Sequence, residues 1–142
     1  MTAESRARVC DLAREWLRTP WHHKARVKGV GVDCAQLLIA VYAEAGVIEA
    51  FEPEPYAIDH MLHSDREVFR GWCERFGQRV ESPSAGDAVL WRFGQCFSHG
   101  GIVVAPGRAI HAFRPYGCVC ETPLDASKLS GREAIFFTFW KP

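Results

Sequence analysis

Apolar residues in this chain keep a helical spacing as far as residue 77 and a strand-like spacing after residue 80. That one change of period confines the fold more than any other feature. Three stretches before it read as helices. Over residues 3–18, Val9, Leu12, Ala13, Trp16 and Leu17 form one apolar stripe. Thr19-Pro20 ends it, because the residue before a proline avoids helical geometry. In the second stretch Cys34, Leu37, Leu38, Val41, Tyr42 and Ala45 recur at helical spacing, and Gly46 supplies a stop. Pro53 and Pro55 then mark an extended loop. The third helix follows Ser64-Asp65-Arg66-Glu67, which has the form of a capping box; it turns Val68, Phe69, Trp72, Cys73 and Phe76 to the core and ends at Gly77. His60 and His63 precede it as surface residues. Beyond a turn cluster at Pro83–Asp87, the runs 88–93, 98–104, 108–113, 118–121 and 134–140 read as strands with turns short enough for antiparallel neighbours. Helices first and strands later predict an α+β fold: N-terminal helices packed on an antiparallel sheet of about five strands, one domain over residues 1–142.

Chemistry concentrates where the second helix begins, in Gly29-Val30-Gly31-Val32-Asp33-Cys34-Ala35-Gln36. An Asp33 carboxylate can accept from the first free backbone N–H groups, and Gln36, three residues on, can reach back. Cys34 then lies in the first turn, where free N–H groups and the positive end of the helix dipole favour the thiolate and can receive an oxyanion. This position predicts a thiol pKa below that of free cysteine. The plain alternative is a small buried core residue. Upstream, Trp21-His22-His23-Lys24-Ala25-Arg26-Val27-Lys28 is a basic and aromatic loop. Trp21, His22 and His23 are candidates for one wall of a substrate cleft beside Cys34, with Asp33 on the same side; the alternative for the loop is a solvated connector anchored by one Trp.

The 142 residues carry 17 basic and 17 acidic side chains, so bulk charge does not point to nucleic acid as a partner. Met1 to Cys10 has no apolar signal core, and no stretch approaches the ~20 apolar residues of a membrane span. Synthesis in the cytoplasm is expected, with any export by another vehicle. Six cysteines without a secretion signal do not suggest a disulfide framework. Cys96, His99, Cys118 and Cys120 together offer four zinc ligands, though at a spacing foreign to common zinc modules.

A cysteine nucleophile needs a base and a group that orients the base. His99 is the candidate base and His111 the candidate orienter, since a neutral imidazole can accept the His99 N–H. Register tests the pairing. A two-residue loop at Pro106-Gly107 puts the two rings on opposite faces, because side chains alternate along a strand. A three-residue loop, Ala105-Pro106-Gly107, pairs Val104 with Arg108 and brings both rings to one face, with Gly107 left-handed. A bulge at Gly100-Gly101 would change the count.

Taken together, Thr19-Pro20-Trp21, Asp33-Cys34, Ala85-Gly86-Asp87-Ala88-Val89-Leu90-Trp91, Ser98-His99-Gly100-Gly101-Ile102-Val103-Val104 and Ile110-His111-Ala112 resemble the NlpC/P60 family of papain-like cysteine peptidases. The resemblance runs from about residue 19 to 113. It implies that Cys34 is the nucleophile, His99 the base and His111 the third polar residue, with no metal or organic cofactor. The implied substrate is the bond between D-glutamate and a diamino acid in peptidoglycan stem peptides. The lead-in Val27 to Cys34 looks most like the branch found in phage tails and gene transfer agents, which implies tail proteins as partners and carriage to the wall on a tail. Trp21 stands where the family often has tyrosine, and Gln36 where it often has a small residue. A structural tail component with the same fold and little activity is the alternative.

Overall fold

The computed structural model describes residues 2–141. Helix α1, Thr2–Glu15, buries Val9, Cys10, Leu12 and Ala13. It stops short of residue 18 because the chain is drawn into a ladder with the sheet. The Arg18 N–H donates to the Val119 carbonyl, the Val119 N–H donates to Thr19, and Arg18 takes a φ of +74°. The following loop holds a small hairpin that periodicity does not announce, β1 (Arg26–Val27) paired with β2 (Gly31–Val32). Helix α2, Cys34–Glu44, is buried along Ala35, Leu37, Leu38, Ile39, Val41 and Tyr42. A short helix α3, His60–His63, precedes α4, Val68–Phe76.

The expected capping box at α4 does not form. The Ser64 hydroxyl accepts from the Arg66 N–H, and the Glu67 carboxylate accepts from the Phe97 N–H, 2.9 Å away on the sheet. Tertiary pairing claims the side chain that local sequence assigned to the cap.

Among the described residues the main sheet has six strands, against the expected five or so: β3 (Gln78–Val80), β4 (Ala88–Phe93), β5 (Cys96–Ala105), β6 (Arg108–Phe113), β7 (Cys118–Pro123) and β8 (Ala134–Thr138), in the order β3-β8-β4-β5-β6-β7. All its pairs are antiparallel. Edge strand β3 escapes the sequence because Gln78 and Arg79 are exposed and no apolar alternation marks it. The helices cover one face, where Val9, Leu37, Tyr42, Leu90, Ile102, Ile110 and Phe137 pack together. On the other face Val89, Trp91, Val103, Ala109, Phe113 and Leu129 form a second cluster. Among the described residues no helix is long and apolar enough to cross a membrane.

The β5–β6 turn corrects the expected loop. It has two central residues, Pro106 and Gly107, between paired Ala105 and Arg108. Proline first and glycine second, with Gly107 at φ +70°, is the arrangement of a type II turn. Such a turn does not match strand twist. The register then shifts between Val103 and Ala105, so that Val103 pairs with Ala109 and Ile102 with Ile110. This irregularity restores the register the histidines need. The bulge on the β4 side is not at Gly100-Gly101: pairing steps from Trp91–His99 to Arg92–Phe97 and leaves Ser98 as the extra residue.

Candidate active site

Asp33 begins the site. At φ −105° and ψ 178° it caps α2, its Oδ1 accepting from the Gln36 N–H at 2.9 Å. Its Oδ2 accepts from the Lys24 N–H at 2.8 Å and from the Tyr56 hydroxyl at 2.6 Å, with His23 Nδ1 at 3.8 Å. The carboxylate is buried at 3% exposure. Its oxygens are therefore taken by the protein, and Asp33 is an organiser of the wall rather than a free substrate contact. Gln36 does not close a capping box: its Oε1 is buried without a partner.

The cap sets Cys34 at the first turn of α2. Its thiol donates to the Ser98 carbonyl at 3.7 Å, so it meets β5 at the bulge, one residue before His99. Backbone N–H groups of Gly100, Ala35 and Cys34 itself draw the thiol pKa down. Burial and then the Asp33 charge outweigh them and push it up to about 12. The expected depression of the Cys34 pKa is therefore overturned: the N–H groups act, but desolvation is the larger effect.

Bulges re-aim side chains, and His99 follows Ser98 into the second cluster. Its ring stacks on Trp91, centroids 5.2 Å apart, and contacts Phe93 and Phe113. Nε2 of His99 lies 2.8 Å from Nδ1 of His111, and Nε2 of His111 lies 2.8 Å from the Thr122 hydroxyl. The two rings share one face, as a base and its orienter require. Glycine at 101 makes room for them: a Cβ there would lie 3.0 Å from the His111 Cβ and 3.2 Å from the Trp91 ring. Burial, followed by the charges of His111 and Arg132, holds the His99 pKa well below its ordinary range, and burial lowers His111 to about 4. The resting pair is thus a neutral thiol and a neutral imidazole.

A pocket opens beside the thiol, lined by Trp21, His23, Tyr56, Phe69, Trp72 and Phe97 among others, with no lysine or arginine in its wall. The rings of Trp21, His23, Tyr56 and Trp72 follow one another at centroid spacings of 6.4, 5.3 and 6.3 Å. Trp21 and His23 therefore both line the pocket beside Cys34. His22 does not: it is exposed, its Nδ1 is 3.1 Å from the His23 carbonyl, and its Cβ faces Gly31. Adjacent residues of an extended segment point opposite ways. His60 is half-buried in the pocket wall rather than on the open surface, its Nε2 2.9 Å from the Arg66 carbonyl. The proposed zinc ligands do not converge. Cys120 lies against His111, Cys96 is buried at the start of β5, and among the described residues no three such side chains form a metal-binding group.

Sequence reasoning missed Tyr56 and Thr122. Tyr56 lies in a loop with no periodic pattern. Thr122 falls one residue past the expected end of its strand, though its place two residues beyond Cys120, the partner of His111, was readable once that pairing was known.

No protein-family model and no curated protein sequence matches the chain. Solved structures do. NlpC1 from Trichomonas vaginalis superposes at a TM-score of 0.70 with 16% identity, over 96% of this chain and 45% of that one. The peptidoglycan hydrolase RipB from Mycobacterium tuberculosis gives 0.65 and 17%, over 99% and 67%. The NlpC/P60 domain of the peptidoglycan hydrolase SagA gives 0.60 and 17%, over 92% and 96%. The chain has the fold of these NlpC/P60 proteins, helices against an antiparallel sheet.

Proposed function

We propose that this protein is a cysteine peptidase that hydrolyses peptide bonds in bacterial peptidoglycan stem peptides. The observation that carries the reading is the Cys34 thiol at the start of α2, set against β5 one residue from the hydrogen-bonded His99–His111 pair. The fold shared with peptidoglycan hydrolases supports the substrate class.

Because the thiol and the imidazoles rest neutral, proton transfer accompanies attack. Sγ of Cys34 bonds to the scissile carbonyl carbon as its proton passes to His99, and the oxyanion meets the Cys34 backbone N–H. His99, held by His111, then gives that proton to the leaving amine as the C–N bond breaks. Water, deprotonated by His99, clears the thioester. The aromatic wall of Trp21, Tyr56 and Trp72 receives the uncharged parts of the stem. The finer reading is cleavage between D-glutamate and the diamino acid by an enzyme carried on a phage tail, supported by the sequence of the lead-in from Val27 to Cys34.

Incubation with purified muropeptides, followed by mass spectrometry, should yield the two fragments of that bond, and Cys34→Ala should yield none. Intact muropeptides of every stem type would overturn the proposal. The raised Cys34 pKa favours a second reading, a structural tail component with little activity. Absence of labelling by a thiol probe at neutral pH, together with intact muropeptides, would select it.

A further inference from the structure

We propose that Thr122 is a positioning residue that fixes the tautomers of both histidines and so makes Nδ1 of His99 the basic atom of the site. The inference rests on the peptidase reading for its activity arm and on hydrogen-bond geometry and the burial of His111 for the rest. The Thr122 hydroxyl has one proton, and it donates to the Pro123 carbonyl at 3.0 Å. With that proton on the carbonyl, the same oxygen accepts from His111 Nε2, 2.8 Å away. The other polar atom near that nitrogen is Cys120 Sγ at 3.9 Å, and its proton is directed to the His111 carbonyl at 3.7 Å. With both protons so directed, His111 Nε2 carries its own.

The remainder follows from single-proton imidazoles. Burial keeps His111 neutral at ordinary pH, so with Nε2 protonated its Nδ1 is a lone pair. At 2.8 Å that lone pair accepts from Nε2–H of His99, which leaves Nδ1 of His99 unprotonated. A proton leaving Cys34 is received there, and the imidazolium so formed keeps its Nε2–H on His111. Reversing the chain, with Thr122 donating to His111, would put a proton on His99 Nδ1 and leave no base for the thiol. The direction is set two hydrogen bonds away from the chemistry.

The test uses the full chain with 15N-labelled histidine. Long-range proton–nitrogen spectra distinguish Nε2–H from Nδ1–H imidazoles in wild type, Thr122→Val and Thr122→Ser. Both His99 and His111 should be Nε2–H in wild type. Thr122→Val keeps the shape and removes the acceptor, so His111 should shift to Nδ1–H and muropeptide turnover should fall ~10²-fold with little change in KM, the size of a lost general base. Thr122→Ser should rescue both readouts. A wild-type His111 in the Nδ1–H form, or Thr122→Val with unchanged tautomers, overturns the proposal. Should Thr122→Val fail to fold, the wild-type spectrum decides. Should wild type cut no muropeptide, the peptidase reading fails while the spectra still judge Thr122.

Discussion

At the scale of the residue, Asp33 sets the terms for its neighbour. One carboxylate caps α2, holds the Lys24 backbone and receives the Tyr56 hydroxyl, and its charge adds to the burial that raises the Cys34 pKa. Asp33→Asn keeps an oxygen for the cap and removes the charge. Thiol alkylation followed against pH should then show its midpoint moved to lower pH, while the melting temperature falls by the equivalent of about 1 kcal/mol for the imperfectly replaced partners of Oδ2. An unmoved or raised midpoint would show that the Asp33 charge does not act on the thiol. The cap itself was legible, since Asp33, Cys34 and Gln36 are neighbours in sequence. The thiol's high pKa was not, because capping is read from adjacent residues while desolvation depends on what the distant sheet lays over them. Tyr56 was hidden for the same reason: its partner is 23 residues away across a loop without pattern.

The strands β5 and β6 show how an element corrects itself. A type II turn starts the hairpin in one register, and the shift between Val103 and Ala105 hands the histidines another. The sequence contained both facts, Pro-Gly for the turn and the His spacing for the face, but not the irregularity that reconciles them; β1, β2 and β3 went unread because strands of two or three residues have no period to show. Close packing makes the hairpin intolerant. In Gly101→Ala the new Cβ would lie 2.9 Å from the Ile110 carbonyl and 3.0 Å from the His111 Cβ, so denaturant unfolding should report a loss of ~1–3 kcal/mol. Gly71→Ala is the control. It is exposed within α4 with nothing within 4 Å, and should stabilise by ~0.5–1 kcal/mol. Equal effects at the two positions would contradict this account of the packing.

Over the whole molecule, the two buried histidines link stability to pH. Folding holds His111 at about 4 from an ordinary 6.5 and holds His99 well below its own ordinary value. The unfolded chain takes up protons below 6.5 that the folded chain refuses, so this contribution is fully present above that pH and is lost as pH falls toward 4. At 1.36 kcal/mol per pKa unit, His111 alone accounts for about 3 kcal/mol. Urea unfolding at pH 7 and pH 4.5 should show the loss, and His111→Gln should lose less over the same interval; equal slopes would rule out a neutral buried His111. Two layers meet at this point of the fold. The thiol comes from the helical layer, through the cap of α2, whereas the imidazoles belong to the far side of the sheet with Trp91 and Phe113. Neither layer owns a complete centre, and the thiol meets the sheet at the Ser98 bulge. The site is thus a seam: slippage of the helical layer on the sheet by about the length of a hydrogen bond would draw the thiol off the Ser98 carbonyl while every helix and strand remained intact.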